Sequence, residues 1–316
     1  MPSKVLTFKQ FLIKTFIICV IIVVAITGVL FFVPNYNNNS EIVIKVEKGL
    51  FAGYIYDNLY NDKLIISRNL FALYCDITGT TKQLKAGYYT FPKNASIYTI
   101  NQMMVKGIHP QGKITIIAGM NENEVNELIK SAPYLVKSYL EKEDIGMLFP
   151  DTYFYEYGQD SSVIINEAKK KMNRVVDEVW LTRDKRIPLR NKYQMVIVSS
   201  ILIKEATDQS EFSNVAQVIF NRLKINMHLG MDSVLSYGIS EKSINNKSKQ
   251  TNSRYNTFKY YGLPPTPISF VNRDSLIAAI KYNQDFEYLY FLSANNKMYY
   301  AHTYKQHKEN INKYLR

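Results

Sequence analysis

An uncharged run near the N-terminus constrains this chain more than any other feature. Residues 15–33 are nineteen consecutive apolar or small uncharged residues. As a helix they would extend about 28 Å, which is close to the thickness of the hydrocarbon core of a bilayer. The run therefore predicts a single transmembrane helix, and only the rest of the chain can form a water-exposed fold.

The charges on either side of this run predict its orientation. Residues 1–14 contain Lys4, Lys9 and Lys14 but no acidic residue, and the next charge is Glu41. Because basic residues stay on the cytoplasmic side, we expect 1–14 to be a cytoplasmic tail and the remainder to lie outside the inner (cytoplasmic) membrane. The alternative is a cleaved signal peptide, whose apolar core is usually shorter and is followed by a clear cleavage site that this sequence lacks.

Charge and cysteine content exclude several kinds of partner and cofactor. The 39 basic and 27 acidic residues give a formal net charge of +12, which favours anionic partners such as phospholipids or an acidic wall polymer. The sequence has no zinc-finger spacing, dense basic stripe or RNA-binding motif, so a nucleic-acid partner is not expected. Cys75 is the only cysteine after the apolar run and the four histidines are scattered, which predicts neither an intramolecular disulfide nor a metal site.

The pattern of apolar residues divides the rest of the chain into a linker and two parts. Residues 34–41 are mostly polar and predict a linker. Residues 42–112 alternate strand and helix patterns, which predicts a small α/β module. Residues 113–316 are mainly helical, with a predicted β-hairpin that turns at 295–296. We therefore expect an α+β fold behind one N-terminal transmembrane helix.

The individual elements are predicted from the same periodicities. Helices are expected at 49–60, 67–75, 95–106, 121–131, 161–180, 191–206, 211–226, 272–282 and 304–314. Strands are expected at 42–46, 87–91, 113–117, 288–293 and 297–301. The polar stretch at 240–253 predicts a surface loop.

A carboxyl group at the end of an apolar helix is the strongest candidate for chemistry. The helix predicted at 191–206 is apolar on nearly every side, yet it carries Glu205 near its end. Ile201 and Leu202 lie one turn back on the same face, so the carboxyl should lose hydration and its pKa should rise. A neutral carboxyl can donate a proton to a leaving oxygen. The structural alternative is an ion pair with a nearby cation such as Arg222.

Other segments have the chemistry of a groove wall. Prolines stiffen the loops at 148–153 and 262–269. Tyr255 and Asn256 combine a ring that can stack on a sugar with an amide that can bind hydroxyl and acetamido groups. Asp232 precedes a short apolar run, and its simplest role is that of a helix N-cap; a place in the site is the other possibility.

Taken together, these segments resemble the endolytic murein transglycosylase (YceG-like) family of bacterial envelope enzymes. The matching segments in chain order are KAGYYTF at 85–91, IIAGM at 116–120, LFPDTY at 148–153, SSILIKEA at 199–206, VIFNRL at 218–223, MDSVLSYG at 231–238, YNTF at 255–258 and GLPPTPI at 262–268. With the N-terminal apolar run, the resemblance covers nearly the whole chain. The shared order and spacing of these segments carry the resemblance.

The resemblance implies a lytic transglycosylase that needs no metal or organic cofactor. Such an enzyme cleaves the β-1,4 bond between N-acetylmuramic acid and N-acetylglucosamine in nascent glycan strands, leaves 1,6-anhydro ends and so terminates elongation. The resemblance also implies that peptidoglycan strands are the substrate, that the protein crosses the membrane once, and that wall-synthesis enzymes are its neighbours. Residues 42–112 would then form a LysM-like module and residues 113–316 the catalytic domain.

The resemblance also assigns roles to individual residues. Glu205 occupies the place of the family's catalytic glutamate. The residues expected to bind or position the sugars, from their motifs and side-chain chemistry, are Asn221, Asp232, Tyr255, Asn256 and Thr257.

Three positions depart from the family pattern. Ile203 stands where members commonly have a second acid, which leaves Glu205 as the only acid in its motif. Ser233 stands where a proline tends to follow the aspartate, and Ser253-Arg254 replaces a Ser-Pro pair. These departures weaken the detailed map of the sugar subsites but leave the acid in place.

Two other functions are open at this point. A lysozyme-like hydrolase would use Asp232 as its second carboxylate, and its product would contain one more water than the anhydro product. A membrane-tethered scaffold that binds the wall would not cleave it at all. A membrane-anchored nucleic-acid binder rests on net charge alone and has little support.

Overall fold

A computed structural model describes residues 8–36, 40–240 and 244–315, with the side chains of the first helix described from Gln10 onward. The first seven residues of the expected tail lie outside the described residues. So do residues 37–39 of the expected linker, three residues of the expected surface loop at 240–253, and the last residue of the chain.

Helices are the most abundant regular structure in the described chain. They are α1 (Phe8–Phe32), α2 (Ala52–Asn61), α3 (Arg68–Ile77), α4 (Ile97–Lys106), α5 (Glu122–Ser131), α6 (Ser161–Leu181), α7 (Lys192–Glu205), α8 (Phe212–Lys224), α9 (Asp232–Ile239), α10 (Arg273–Ala278) and α11 (Tyr304–Tyr314). Every predicted helix is present, although α10 ends four residues earlier than expected. The short helix α9 is absent from the predicted helix ranges, although the N-cap role considered for Asp232 implied a helix at this place.

Strands within the described residues form three separate pairs. They are β1 (Ile42–Val46), β2 (Gly87–Phe91), β3 (Gln111–Thr115), β4 (Thr152–Glu156), β5 (Tyr290–Ala294) and β6 (Lys297–Ala301). β1 pairs antiparallel with β2, β3 pairs with β4, and β5 pairs antiparallel with β6 so that Tyr290 lies opposite Ala301. β4 was not predicted.

The chain divides into two compact units. The first comprises Met1–Gln111 with Glu156–Gly158, and the second comprises Gly112–Tyr155 with Gln159–Arg316. The domain bounds expected from the sequence, 42–112 and 113–316, stay predictions. The LysM-like and catalytic roles of the two parts stay predictions.

In the first unit, the C-terminal end of α1 packs into the core formed by residues 42–112, the small domain. The segment Gln10–Phe32 is long and apolar enough to cross a membrane. Phe31, however, is only 8% exposed and meets the ring of Tyr74 edge-on at a centroid distance of 4.9 Å. Just beyond the helix, the side-chain amide of Asn35 donates to the carbonyl of Lys63 at 2.8 Å. The start of the expected linker is therefore attached to the small domain.

In the second unit, α7 is the central helix. Its residues from 195 to 202 are all buried, because α6, α8, α9 and α10 surround it. Two serines in this apolar stretch are satisfied: Ser199 donates to the carbonyl of Met195 at 2.8 Å, and Ser200 to that of Ile197 at 2.7 Å. A helix buried on all sides needs no amphipathic pattern, which explains its uniformly apolar sequence.

Two loops hold the C-terminal half of α7. The Ser200 hydroxyl accepts a hydrogen bond from the backbone N–H of Ile268 at 3.0 Å, which attaches the proline-rich segment to the helix. On another side, Gly119 has a φ of +95°, and an added Cβ would lie 3.1 Å from the side chain of Ile203. Glycine therefore allows both the left-handed turn and the close approach to the helix.

Candidate active site

Glu205 is the last residue of α7 and faces the start of α9. The Ser233 hydroxyl, in the first turn of α9, donates a hydrogen bond to Glu205 Oε1, and the Ser233 backbone N–H also interacts with this carboxyl. Both side chains are half-buried. The carboxyl is thus held at the positive end of a helix that belongs to a different segment of the chain.

The surroundings of Glu205 favour its neutral form. Burial is the largest influence and raises the pKa of the Glu205 carboxyl, and the negative charge of Asp232 raises it further. The hydrogen bonds from Ser233 and the positive charge of Arg222 act in the opposite direction, but the pKa remains above its ordinary value. This is the direction predicted from the apolar neighbours in the sequence.

Arg222 does not pair with Glu205. Its Nε donates to the carbonyl of Leu289 at 2.6 Å, and another guanidinium nitrogen donates to the carbonyl of Leu229. The guanidinium also lies over the ring of Tyr290, 5.3 Å from its centroid. Among the described ion pairs none joins Arg222 to Glu205, so the ion-pair alternative is wrong. Arg222 instead connects α8 to β5 and to the loop before α9.

A groove of about 460 Å³ opens beside Glu205. Its walls come from the loop before α9, from β5 and from α11. Three aromatic rings line it, those of Phe258, Phe291 and Tyr304, together with the charged side chain of Lys249. Across the described part of the chain, no three His, Cys, Asp or Glu side chains are grouped so that they could hold a metal ion.

Asp232 lines the same groove but has a different environment. It is the first residue of α9, whose N-cap is Met231, and no side chain in the described part of the chain caps this helix end. The N-cap role expected for Asp232 is therefore wrong. Its side chain is 62% exposed and forms an ion pair with Lys249 over 3.4 Å.

Thr257 holds the turn that leads into α9. Its Oγ1 accepts a hydrogen bond from the backbone N–H of Met231 at 2.9 Å, and its carbonyl accepts one from Gly230 at 2.9 Å. The side chain is only 2% exposed. Thr257 therefore fixes the position of the segment that carries Asp232 and Ser233.

Asn256 organises the loop in front of Thr257. Its fully buried side-chain amide donates to the carbonyls of Lys249 at 3.0 Å and Thr251 at 2.9 Å. Its Oδ1 accepts from the backbone N–H of Phe258 at 3.1 Å. These bonds place Lys249 and Phe258, both of which line the groove.

Tyr255 and Asn221 also make contacts within the protein. The Tyr255 hydroxyl hydrogen-bonds with Thr266 Oγ1 at 2.7 Å. The Asn221 amide donates to the carbonyls of Phe286 at 2.8 Å and Tyr288 at 3.0 Å, which fixes the approach to β5. The groove thus brings Glu205 and Asp232 together, and the four remaining predicted residues support the surrounding loops. Sugar contact by those four residues stays a prediction.

Comparison with known proteins identifies the family. The model of the YceG-like family matches residues 44–313, which is most of the chain. The chain belongs to the YceG-like family.

The relatives of this YceG-like protein match most of its length but differ in their own length. The endolytic murein transglycosylase of Bacillus subtilis strain 168 is 25% identical over 313 residues, covering 88% of this chain and 86% of that protein. The protein of the same name from Streptococcus pneumoniae strain D39 is 22% identical, but the match covers only 57% of its length. The crystal structure of a YceG-like protein from Listeria monocytogenes superposes with a TM-score of 0.54 at 26% identity, covering 86% of this chain and 99% of that one.

The groove of this YceG-like protein includes residues that the sequence did not single out. Ser233 lies next to an expected site residue, but its hydrogen bond to Glu205 depends on how α9 packs against α7. Tyr304, His307 and Ile311 line the groove from one face of α11. Their spacing of three and four residues was a signal for one helical face. Burial lowers the pKa of the His307 imidazole, which leaves it neutral at neutral pH.

Proposed function

We propose that this protein is a membrane-anchored murein lytic transglycosylase that cleaves within glycan strands. The observation that carries the proposal is the position of Glu205, a carboxyl with a raised pKa at the wall of an aromatic-lined groove. Membership of a family whose curated relatives are named endolytic murein transglycosylases supports the same conclusion.

The first chemical step is proton donation by Glu205. Its neutral carboxyl donates a proton to the glycosidic oxygen between N-acetylmuramic acid and N-acetylglucosamine, and the bond from that oxygen to the anomeric carbon breaks. The N-acetylglucosamine leaves with a new hydroxyl group. Positive charge then develops on the muramic sugar as an oxocarbenium-like state, while Glu205 becomes a carboxylate.

The second step uses the substrate's own hydroxyl in place of water. The 6-hydroxyl of the muramic sugar attacks the anomeric carbon, and its proton passes to the Glu205 carboxylate. The product is a 1,6-anhydro ring, and the acid returns to its starting state. Because this nucleophile is intramolecular, its effective concentration is high, so the reaction needs no second carboxylate to activate water.

The groove walls suit an amino-sugar polymer. The rings of Phe258, Phe291 and Tyr304 offer faces on which sugars can stack. Asn256 and Thr257 act in this proposal by positioning the groove loops, since their polar atoms bond within the protein. Exposed Asp232 is available to hydroxyl or acetamido groups of the substrate.

The proposal also includes the location and biological role of the enzyme. Helix α1 would anchor the chain in the cytoplasmic membrane with its N-terminus inside, in accordance with the flanking lysines. The small domain at 42–112 would act as a LysM-like module for the glycan. Cleavage of new strands beside wall-synthesis enzymes would terminate their elongation.

Mass spectrometry of the reaction products tests this function. The full chain in detergent micelles would be incubated with uncrosslinked glycan strands, alongside Glu205→Gln. We expect soluble fragments with 1,6-anhydro ends from the wild type and none from the variant. Glu127→Gln is the matched control, because Glu127 is exposed on α5 and, among the described residues, makes an ion pair with Lys130 alone. Absence of cleavage by the wild type would support a wall-binding scaffold instead.

A lysozyme-like hydrolase is the second candidate, because Asp232 lines the same groove as Glu205. In that mechanism Asp232 would act as nucleophile or activate a water. Products that contain one more water than the anhydro fragments, together with full dependence on Asp232, would support the hydrolase.

A further inference from the structure

We propose that Ser233 is a positioning residue that holds Glu205 Oε1, so that the transferable proton is carried on the other carboxyl oxygen. The proposal rests on the function proposed above and adds to it a residue that fixes the geometry of the acid. It is based on the hydrogen bond from the Ser233 hydroxyl to Oε1.

The position of Ser233 is itself well determined. It lies in the first turn of α9, between the exposed Asp232 and the fully buried Val234. The segment before it is anchored by the two hydrogen bonds between Thr257 and the backbone of residues 230 and 231. A hydroxyl on such a fixed helix start can restrict the rotation of the Glu205 side chain.

A hydrogen bond to one carboxyl oxygen directs the proton to the other. The oxygen that accepts the Ser233 hydroxyl uses a lone pair in that bond, so in the neutral acid it takes the role of the carbonyl oxygen. The acidic proton then lies on Oε2. When Glu205 ionises, the same bond becomes charge-assisted and stronger, so Ser233 stabilises the carboxylate that forms as the proton leaves.

Several charged and titratable groups surround this pair. Those that line the groove with Glu205 are Arg222 on α8, Asp232 on α9, Lys249 in the following loop, and Tyr304 and His307 on α11. A second cavity adjoins Ser233 and is lined by Lys204, Glu122 and Tyr237, the last two hydrogen-bonded to each other at 2.8 Å. A change at Ser233 alone leaves all these charges in place.

The first test is the pH profile of kcat/KM for Ser233→Ala, with Ser233→Thr as the conservative variant. Because the hydroxyl stabilises the ionised carboxyl, its loss should move the alkaline limb of the profile upward by about one pH unit. In Ser233→Ala we expect kcat to fall about 10-fold with little change in KM. Ser233→Thr should restore most of kcat and most of the wild-type position of the alkaline limb. Ser213→Ala is the matched control, since Ser213 is a half-buried serine in the first turn of the neighbouring helix α8.

A second readout does not depend on activity. Infrared difference spectra recorded against pH would show the carbonyl band of protonated Glu205, assigned by its loss in Glu205→Gln. In Ser233→Ala this band should move to higher frequency, because the carbonyl oxygen loses the hydrogen bond from the Ser233 hydroxyl, and it should persist to higher pH.

The two readouts separate failure of this proposal from failure of the proposed function. An unchanged carbonyl band and titration in Ser233→Ala would overturn the role of Ser233 whether or not the protein cleaves glycan. The role of Ser233 would also be overturned if Ser233→Thr gave the same carbonyl band and titration as Ser233→Ala. A shifted band in a protein whose wild type makes no anhydro ends would confirm the positioning and contradict the transglycosylase function.

Discussion

Two carboxyl groups share one groove, and their surroundings give them different properties. Glu205 ends a helix buried on all sides, and burial raises its pKa. Asp232 begins a short helix nearby, is 62% exposed and is paired with Lys249. Burial therefore favours the neutral, proton-carrying form of Glu205, whereas Asp232 is open to solvent. Both carboxyls line the groove, so the difference in burial is what distinguishes Glu205 as the proposed acid.

The largest expected effect is the loss of activity in Glu205→Gln. An amide cannot donate the proton to the leaving oxygen, so kcat should fall by about 10³-fold or more, within the usual range for a general acid. Circular dichroism and the melting temperature would check that the variant remains folded. Substantial residual activity would remove the distinction between the two carboxyls.

The pH dependence of wild-type activity is expected to be the next largest effect. Since the neutral form of Glu205 is required, kcat/KM should fall about tenfold for each pH unit above the pKa of this carboxyl. The alkaline limb should lie above the range of an ordinary glutamate. A limb at the ordinary value would show that Glu205 is as well solvated as Asp232.

The same pKa shift should appear in stability. A carboxyl whose pKa is raised on folding contributes stability that is complete below the unfolded pKa and is lost as the pH rises through the folded pKa. Glu205→Gln should therefore gain stability over the wild type at pH 8 but not at pH 4. Thermal melts at the two pH values measure this difference, and an equal effect at both would contradict a raised pKa.

A moderate effect is expected from Thr257→Val. The change keeps the volume of the side chain but leaves the Met231 N–H without its acceptor, which should cost about 1–3 kcal/mol of unfolding free energy. Because the start of α9 would then be less well fixed, kcat should fall about fivefold. Denaturant unfolding and steady-state kinetics measure the two effects. Wild-type values for both would mean that this turn does not position the acid.

The smallest effect is expected from Asp232→Asn. It removes an exposed ion pair of low energetic value and a charge that raises the pKa of Glu205, so we expect less than about a threefold change in kcat/KM. The alkaline limb should move slightly downward. A loss comparable to that of Glu205→Gln would give Asp232 a direct chemical role and favour the hydrolase.

The sequence predicted the central helix and the raised pKa of the Glu205 carboxyl, because both depend on local properties. A long apolar segment that ends in one carboxyl is visible without any knowledge of its neighbours. β1 and β2 were equally clear, since their ranges match the predicted strands. The short elements α9 and β4 were missed, because their stability comes from packing against segments distant in sequence.

The roles of the polar residues depended on contacts that the sequence cannot show. Asn221 bonds to carbonyls 65 and 67 residues further along the chain. The side chain of Asn256 could form its hydrogen bonds either with a sugar or with a loop of the protein. In the fold its amide group and its Oδ1 both bond to the loop backbone. The serine that contacts Glu205 could be recognised only once α9 was placed against α7.

The central claim is that one carboxyl carries both proton transfers and that no water is activated. The most direct measurement is mass spectrometry of the cleavage products formed in water enriched in ¹⁸O. This account predicts 1,6-anhydro ends that contain no ¹⁸O, because the new bond is made by the substrate's own 6-hydroxyl. Incorporation of one ¹⁸O at each new muramic end would contradict it and indicate hydrolysis.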